Sequence, residues 1–195
     1  NRRIGVGLSG MVLLSEKIGY YRLITILKNA YKKIRETNDK ISGLCGVPKS
    51  LRVSTLKPSG SISQLVGVPS GIHFPIAGRY IIRRVRISEH SDLVPYLIKN
   101  NINYEKDVSS DNTLVFEIPV DQGETRTIEE VSVYEQVRCA ELYQRYYADN
   151  SVSVTIQYGK EEAKDLKGII QSSFPNLKCL SFLPRSEHTY KQPPY

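Results

Sequence analysis

Two short β-branched runs lie on either side of one long amphipathic stretch, and this arrangement limits what the chain can fold into. Residues 4–8 read Ile-Gly-Val-Gly-Leu and close on Ser9-Gly10, the pattern of a short strand ending in a tight turn. Leu51 to Leu56 reads as a second strand, with Leu51, Val53 and Thr55 on one face. Between them, Leu23, Leu27, Ala30, Tyr31 and Ile34 recur at three- and four-residue spacing, with Lys28, Lys32, Lys33 and Arg35 interleaved. A helix is expected from roughly Leu13 to Thr37, ending at Asn38-Asp39. A helical connection of this length suits parallel strands, not a hairpin.

The same alternation returns near the C-terminus. Ser132 and Glu135 make an S-x-x-E capping box ahead of Val133, Val137, Ala140, Tyr143 and Tyr147. Ser151 to Tyr158 is then a strand, with Val152, Val154 and Ile156 on one face and Ser151, Ser153 and Thr155 on the other. Glu161 to Ser173 is expected as a helix with Ala163, Leu166, Ile169 and Ile170 inward, and Leu177 to Leu183 as a last strand. The class is α/β with mainly parallel strands, and the active site of such a fold lies at the strand C-termini. The middle differs. Arg79 to Ile87 and Leu114 to Val120 are β-branched runs around one short helix, Asp92 to Asn100, and read as an antiparallel excursion. Residues 1–184 read as one domain, and Arg185 to Tyr195 as a polar tail without a core of its own.

Composition excludes several classes. With 195 residues and 40 % hydrophobic content the chain is too apolar for a disordered protein and large enough to need no disulfide or metal staple. Cys45, Cys139 and Cys179 are far apart and form no CxxC pair, which argues against zinc and disulfide scaffolds and for a reducing, cytoplasmic setting or a protein indifferent to redox. The most apolar stretch, Ile18 to Leu27, is short and holds Arg22, so no membrane span is expected. Asn1-Arg2-Arg3 leads into Gly-rich sequence instead of a signal core, and the missing initiator Met suggests a start inside a longer protein. The net charge of +7 suits an anionic ligand without naming one.

The clearest local chemistry is Leu56-Lys57-Pro58-Ser59-Gly60-Ser61-Ile62-Ser63. A strand stops at Pro58, Gly60 frees the backbone, and small hydroxyl residues open the next turn. Backbone N–H groups and hydroxyls from Ser59, Gly60, Ser61, Ile62 and Ser63 can converge there on an anion, with the N–H groups of Ser61 to Ser63 facing it. Taken alone, such a segment is more often a Ser-capped strand-to-helix turn, and it is no Walker loop. His73, between Gly71 and Pro75, is more often a structural loop histidine than a catalytic one, and neither His90 nor His188 has partners at metal-ligand spacing. Arg79, Arg83, Arg84 and Arg86 could meet phosphate or nucleic acid, but with no aromatic platform beside them a salt-bridged hairpin face is the better reading. No Ser-His-Asp set, paired carboxylates or metal signature is present, and the thirteen Tyr are scattered.

Taken in order, the segments resemble the vitamin B12-dependent (class II) ribonucleotide reductases, in particular the monomeric triphosphate-using branch. The likeness rests on Asn1-Arg2-Arg3-Ile4-Gly5-Val6-Gly7, on Thr55 to Ser63, and on Gly67-Val68-Pro69-Ser70-Gly71-Ile72-His73. It continues through Tyr80 to Ser88, Gln144 to Ser153, Leu180 to Pro184 and Tyr190 to Tyr195. The resemblance implies a ten-stranded α/β barrel of two five-stranded halves, of which this chain would form much of the second. It implies that the Ser59–Ser63 loop holds the substrate phosphates. It also implies adenosylcobalamin as radical source, a thiyl-radical mechanism, a ribonucleoside triphosphate substrate, a thioredoxin-type reductant and the rest of the barrel as partners.

The family's radical cysteine and redox cysteines would lie outside this chain, and none of Cys45, Cys139 or Cys179 matches them. The strand Cys179-Leu180-Ser181-Phe182 lacks the Tyr-Tyr pair of the class I enzymes, which agrees with a local radical source. No residue is assigned to cobalamin or to a metal. The competing reading is a catalytically inactive, reductase-derived structural or interaction subunit, and a basic nucleic-acid module ranks third. A half barrel exposes strand edges and an apolar interior face, so the chain by itself is expected to be poorly soluble or to associate with a partner.

Overall fold

The computed structural model describes residues 2–60, 62–185 and 192. The chain opens with β1 (Arg3–Val6) and α1 (Met11–Leu44), returns in β2 (Arg52–Ser54), and makes a one-turn helix, α2 (Ile62–Leu65). The next elements are β3 (Tyr80–Ser88), α3 (Leu93–Lys99), β4 (Tyr104–Lys106) and β5 (Thr113–Asp121). Then come α4 (Val133–Tyr146), β6 (Thr155–Tyr158), α5 (Leu166–Ser173) and β7 (Ser181–Pro184).

β1 pairs parallel with β2, and β6 parallel with β7. A parallel bridge between Leu56 and Val152 joins the two pairs, backed by Ser153 N–H donating to the Leu56 carbonyl at 2.8 Å. The strands therefore run in the spatial order β1-β2-β6-β7. Helices cover one face. Leu56 and Val152 pack with Leu23 and Leu27 of α1 and with Ala140 and Tyr143 of α4. Ile156 packs with Val133 and Val137 of α4 and Ile169 of α5. The alternation of a strand sends Thr155, Gln157 and Leu183 to the opposite face, where they line an open cavity.

β3, β5 and β4 form a separate antiparallel sheet in the order β3-β5-β4, with β3 and β5 in register from Tyr80↔Asp121 to Ser88↔Thr113. It carries its own small core of Val94, Leu114 and Phe116.

Several boundaries differ from the sequence reading, each for a physical reason. α1 does not stop at Asn38-Asp39. Asn38 and Ser42 are buried within it, and the helix ends in a Schellman turn. There Gly46 takes the left-handed conformation (φ 63°), its N–H reaches the Gly43 carbonyl, and Val47 N–H reaches that of Ser42. Gly19, with φ 76°, breaks α1 into two segments. The capping box at Ser132 is only half made. Ser132 Oγ accepts from Glu135 N–H at 3.2 Å, but the Glu135 carboxylate is taken by Arg126, at 2.6 and 3.1 Å. A charge-assisted fork outcompetes a single backbone N–H. The stretch expected as one helix from Glu161 begins as a 3-10 turn, Lys160–Asp165, before α5.

Of the tail, only Arg185 and Gln192 are described. Gln192 is buried against β4, its amide donating to Glu105 and to the Lys106 carbonyl. His188 and the Tyr190–Tyr195 likeness, Gln192 apart, fall outside the described residues. No helix among the described residues is long and apolar enough to cross a membrane.

Candidate phosphate-binding cradle

Both parallel strands of the first half end at the same place. β1 runs into the Ser9-Gly10 turn and the start of α1, while β2 runs through Leu56 into Pro58-Ser59-Gly60. A third segment, residues 67–73, closes the group. Gly10 N–H donates to the Pro69 carbonyl at 2.9 Å and Met11 N–H to that of Gly71 at 3.0 Å. The hydroxyls of Ser9 and Ser59 are hydrogen bonded. Gly71 has φ 56°, and a Cβ there would lie 2.8 Å from the Lys57 carbonyl oxygen. Glycine is thus required at position 71 twice over, by backbone conformation and by close approach of another backbone.

Within the loop the predicted residues separate into two roles. Gly60 borders the cavity, its backbone is outside the left-handed region, and nothing lies within 4 Å of where its Cβ would be. Ile62 is exposed at the start of α2. Ser63 is fully buried. Its N–H and its hydroxyl both donate to the Ser59 carbonyl, at 3.1 and 2.5 Å, and its Oγ lies 3.1 Å from Ser70 Oγ. The expectation that Ser63 N–H faces an anion is therefore corrected: one turn of helix spends that N–H on Ser59. Ser63 braces the loop from behind. Ser61 lies outside the described residues.

The adjoining cavity measures about 600 Å³. Pro58, Gly60 and Ser70 form its cradle end, His73 and Thr155 its floor, and Tyr80, Ile82 and Arg84 of β3 a wall. Arg84 reaches Glu117 at 3.2 Å, so the arginine cluster is at least partly a salt-bridged hairpin face, with Arg79–Asp121 and Arg86–Asp107 beside it. A cavity of this size, apolar on one side with a few convergent polar groups, suits a nucleotide-sized ligand. The sequence reading missed the cavity wall, because residues of β3 and β6 come to line one cavity only through tertiary packing. It quoted Gly71 without giving it a role, although Gly-Val-Pro-Ser-Gly was a usable signal for a tight backbone approach.

The cysteines stand apart from this end. Cys139 is buried in α4, and burial pushes its thiol up to about 12. Cys179 precedes β7, 2.8 Å from Ser151 Oγ at the opposite end of the strands. Among the described residues no three His, Cys, Asp or Glu side chains form a metal-binding group.

Comparison with known proteins decides the relationship. The chain aligns over its whole length, at 36 % identity, with a probable adenosylcobalamin-dependent ribonucleoside-triphosphate reductase of Dictyostelium discoideum. It also aligns in full, at 36 % and 31 %, with the adenosylcobalamin-dependent ribonucleoside-triphosphate reductases of Euglena gracilis and Levilactobacillus brevis. The crystal structure of a B12-dependent (class II) ribonucleotide reductase superposes on all of it, with a TM-score of 0.87 at 26 % identity. The chain is homologous, end to end, to one segment of the B12-dependent ribonucleotide reductases. It spans 26 %, 27 % and 30 % of the three relatives and 31 % of the solved reductase. No family model matches it. The cradle thus lies in a segment of mixed helix and strand that is similar to part of those reductases.

Proposed function

We propose that this chain is the substrate-phosphate segment of an adenosylcobalamin-dependent ribonucleoside-triphosphate reductase, an oxidoreductase that converts ribonucleotides to 2′-deoxyribonucleotides. The observation that carries the reading is the joint one: full-length homology to such reductases, and a cradle at the C-terminal ends of two parallel strands opening on a nucleotide-sized cavity. β1, β2, β6 and β7 would be four strands of one five-stranded half of the barrel, with the antiparallel sheet inserted between them. The open edges of β1 and β7, and the exposed Ile4, Val6 and Ile41 beside β1, are where the rest of the barrel would pack.

Ser59, Gly60, Ser61 and Ile62 would touch the triphosphate, chiefly through backbone N–H groups, with Ser63 holding the turn. The thiyl radical and the thioredoxin-type reductant would act through cysteines other than Cys45, Cys139 and Cys179. Adenosylcobalamin would supply the radical by homolysis of its Co–C bond. The residues here do not by themselves fit that group. Both ring nitrogens of His73 are engaged within the fold, and His90 sits on an exposed turn beyond β3. No step is therefore assigned to this chain's residues through the cofactor.

The test is titration of a complete reductase carrying this segment with a ribonucleoside triphosphate, wild type against Gly60→Val. The open space at Gly60 lets valine enter without disturbing the fold, while its methyls occupy the approach of a phosphate. The expected result is loss of binding with an unchanged circular dichroism spectrum. Ser59→Ala should weaken binding about five- to thirtyfold by removing one hydrogen bond to a charged group. Unchanged affinity in a folded Gly60→Val reductase would reduce the loop to a capped turn.

A further inference from the structure

One imidazole bridges the cradle and the second half of the parallel sheet. Thr155 N–H, at the start of β6, donates to His73 Nε2 at 3.2 Å. A ring that accepts at Nε2 carries its proton on Nδ1, and Nδ1 lies 3.2 Å from the Ser70 carbonyl, which it therefore faces as a donor. The same carbonyl accepts His73 N–H at 2.9 Å. Ser70 meets Ser63 through its hydroxyl, and Gly71 rests on the Lys57 carbonyl. The remaining hydrogen bonds of residues 57–73 to other segments run to the Ser9-Gly10 turn and the start of α1, through Ser59, Pro69 and Gly71. Among the described residues, the hydrogen bond from this loop system to β6 passes through the His73 ring.

We propose that His73 is a positioning residue for the phosphate site: a neutral imidazole that fixes the 57–73 cradle against β6 and so holds the loop amides in one geometry for the anion. The proposal rests on the phosphate reading of residues 59–63 given above. The surroundings favour the neutral form. Behind the ring lie Ile72, Phe74, Ile128 and Gln136, none of them charged. The facing cavity adds Arg84, partnered by Glu117, and Tyr80. Burial holds the imidazole below its ordinary value of 6.5. A proton on Nε2 would set one N–H against another, so acid should undo the tie.

The experiment measures binding of inorganic tripolyphosphate to a complete reductase carrying this segment by calorimetry, and amide exchange by mass spectrometry, in wild type, His73→Ala, His73→Gln and Gly60→Val. Glutamine places an amide oxygen near the Nε2 position and does not titrate. His73→Ala should weaken binding about tenfold, the worth of roughly one hydrogen bond. It should also speed exchange at Ser63 and Val68, whose amides lie in the cradle and not beside the ring. His73→Gln should return affinity to within about threefold of wild type. As the pH falls, the wild-type affinity should hold down to the ordinary imidazole value of 6.5 and drop relative to His73→Gln only below it, a ratio that cancels protonation of the phosphate itself. If His73→Ala speeds exchange only at Thr155 and binds as wild type, while Gly60→Val does not bind, the phosphate reading stands and the positioning role falls. If glutamine does not rescue, the tie is not the cause and the role also falls. If the wild-type reductase binds no tripolyphosphate, the phosphate reading fails and takes this proposal with it.

Discussion

The parallel body and the antiparallel excursion are stabilised in opposite ways. In the excursion, β3 and β5 match along nine residues each, and arginine–carboxylate pairs run across the sheet at Arg79–Asp121, Arg84–Glu117 and Arg86–Asp107. Its partners are near in sequence, and its core is a local cluster around Phe116. The strands of the body are only three or four residues long, and although β6 and β7 pair 26 residues apart, β1 meets β2 across 48–49 residues and Leu56 meets Val152 across 96. They depend on helices for burial and on a few polar hubs for alignment. Asp149 is such a hub. Its carboxylate accepts from Tyr31 Oη at 2.8 Å, Arg35 Nη2 at 2.9 Å and Val53 N–H at 2.9 Å, tying α1 and β2 to the end of α4. The lesson is that the region holding the cradle is the one whose stability is least local. Its loops are free of ladder constraints and are set by specific contacts such as Gly71 on Lys57.

The sharpest way to break the comparison is Phe116→Ala. Phe116 is fully buried, beside Val94 and Leu114, with the Tyr104 ring tilted against it at 5.3 Å between centroids. Truncating such a ring costs about 3–5 kcal/mol. If the excursion is its own cooperative unit, amides of β3 and β5 should lose exchange protection while Thr55 and Ser153 keep theirs. Equal loss at all four sites would make the two regions one unit.

Asp149→Ala attacks the other side. It leaves Arg35 and the Val53 N–H without their carboxylate and should cost about 2–3 kcal/mol in urea unfolding. Protection should fall in β2 and α1 first, the reverse of the Phe116 pattern. Asp149→Asn, which keeps one acceptor oxygen, should recover part of the loss.

The same contrast explains what could be read from the sequence. The elements of the excursion were legible because β-branched runs and a short helix encode it locally. The parallel strands were legible from alternation, as at Val152, Val154 and Ile156. What escaped was set by competition between distant groups. Glu135 was read as a capping residue, but Arg126 claims it. Asn38 was read as a helix stop, but burial carries α1 on to the Gly46 turn. At the site, Pro58, Ser59 and Gly60 announced a loop. Nothing in the local pattern said that Ser63 would turn its N–H inward, or that His73 would meet Thr155. The His73 contact belongs to packing between segments far apart in the chain, whereas the Ser63 N–H is spent within one helical turn, on the Ser59 carbonyl four residues back.

The smallest expected effect lies at the joint between the two regions. Glu16, on the first segment of α1, accepts from Thr125 Oγ1, from Arg126 N–H at 3.0 Å and from Arg126 Nε at 2.6 Å, just after the chain leaves β5. Arg126 continues to Glu135 on α4. Burial works against the charge of Glu16, but the hydrogen bonds from Thr125 and Arg126 outweigh it and hold the carboxyl below its ordinary value of 4.5. A carboxyl lowered in the folded state adds stability that is complete above its unfolded value and disappears as pH falls through the folded one. Glu16→Gln should therefore cost about 1 kcal/mol near pH 7, a figure kept small by the partial exposure of the Arg126 fork. Urea melts should show wild type and variant converging as the pH drops below about 4. The effect should also appear as faster exchange at the joint, around Gln122 to Arg126, with β3 and β6 unchanged. If the gap between wild type and variant stays constant down to the acid limit, the contribution of Glu16 comes from packing and not from its charge, and the joint is not electrostatic.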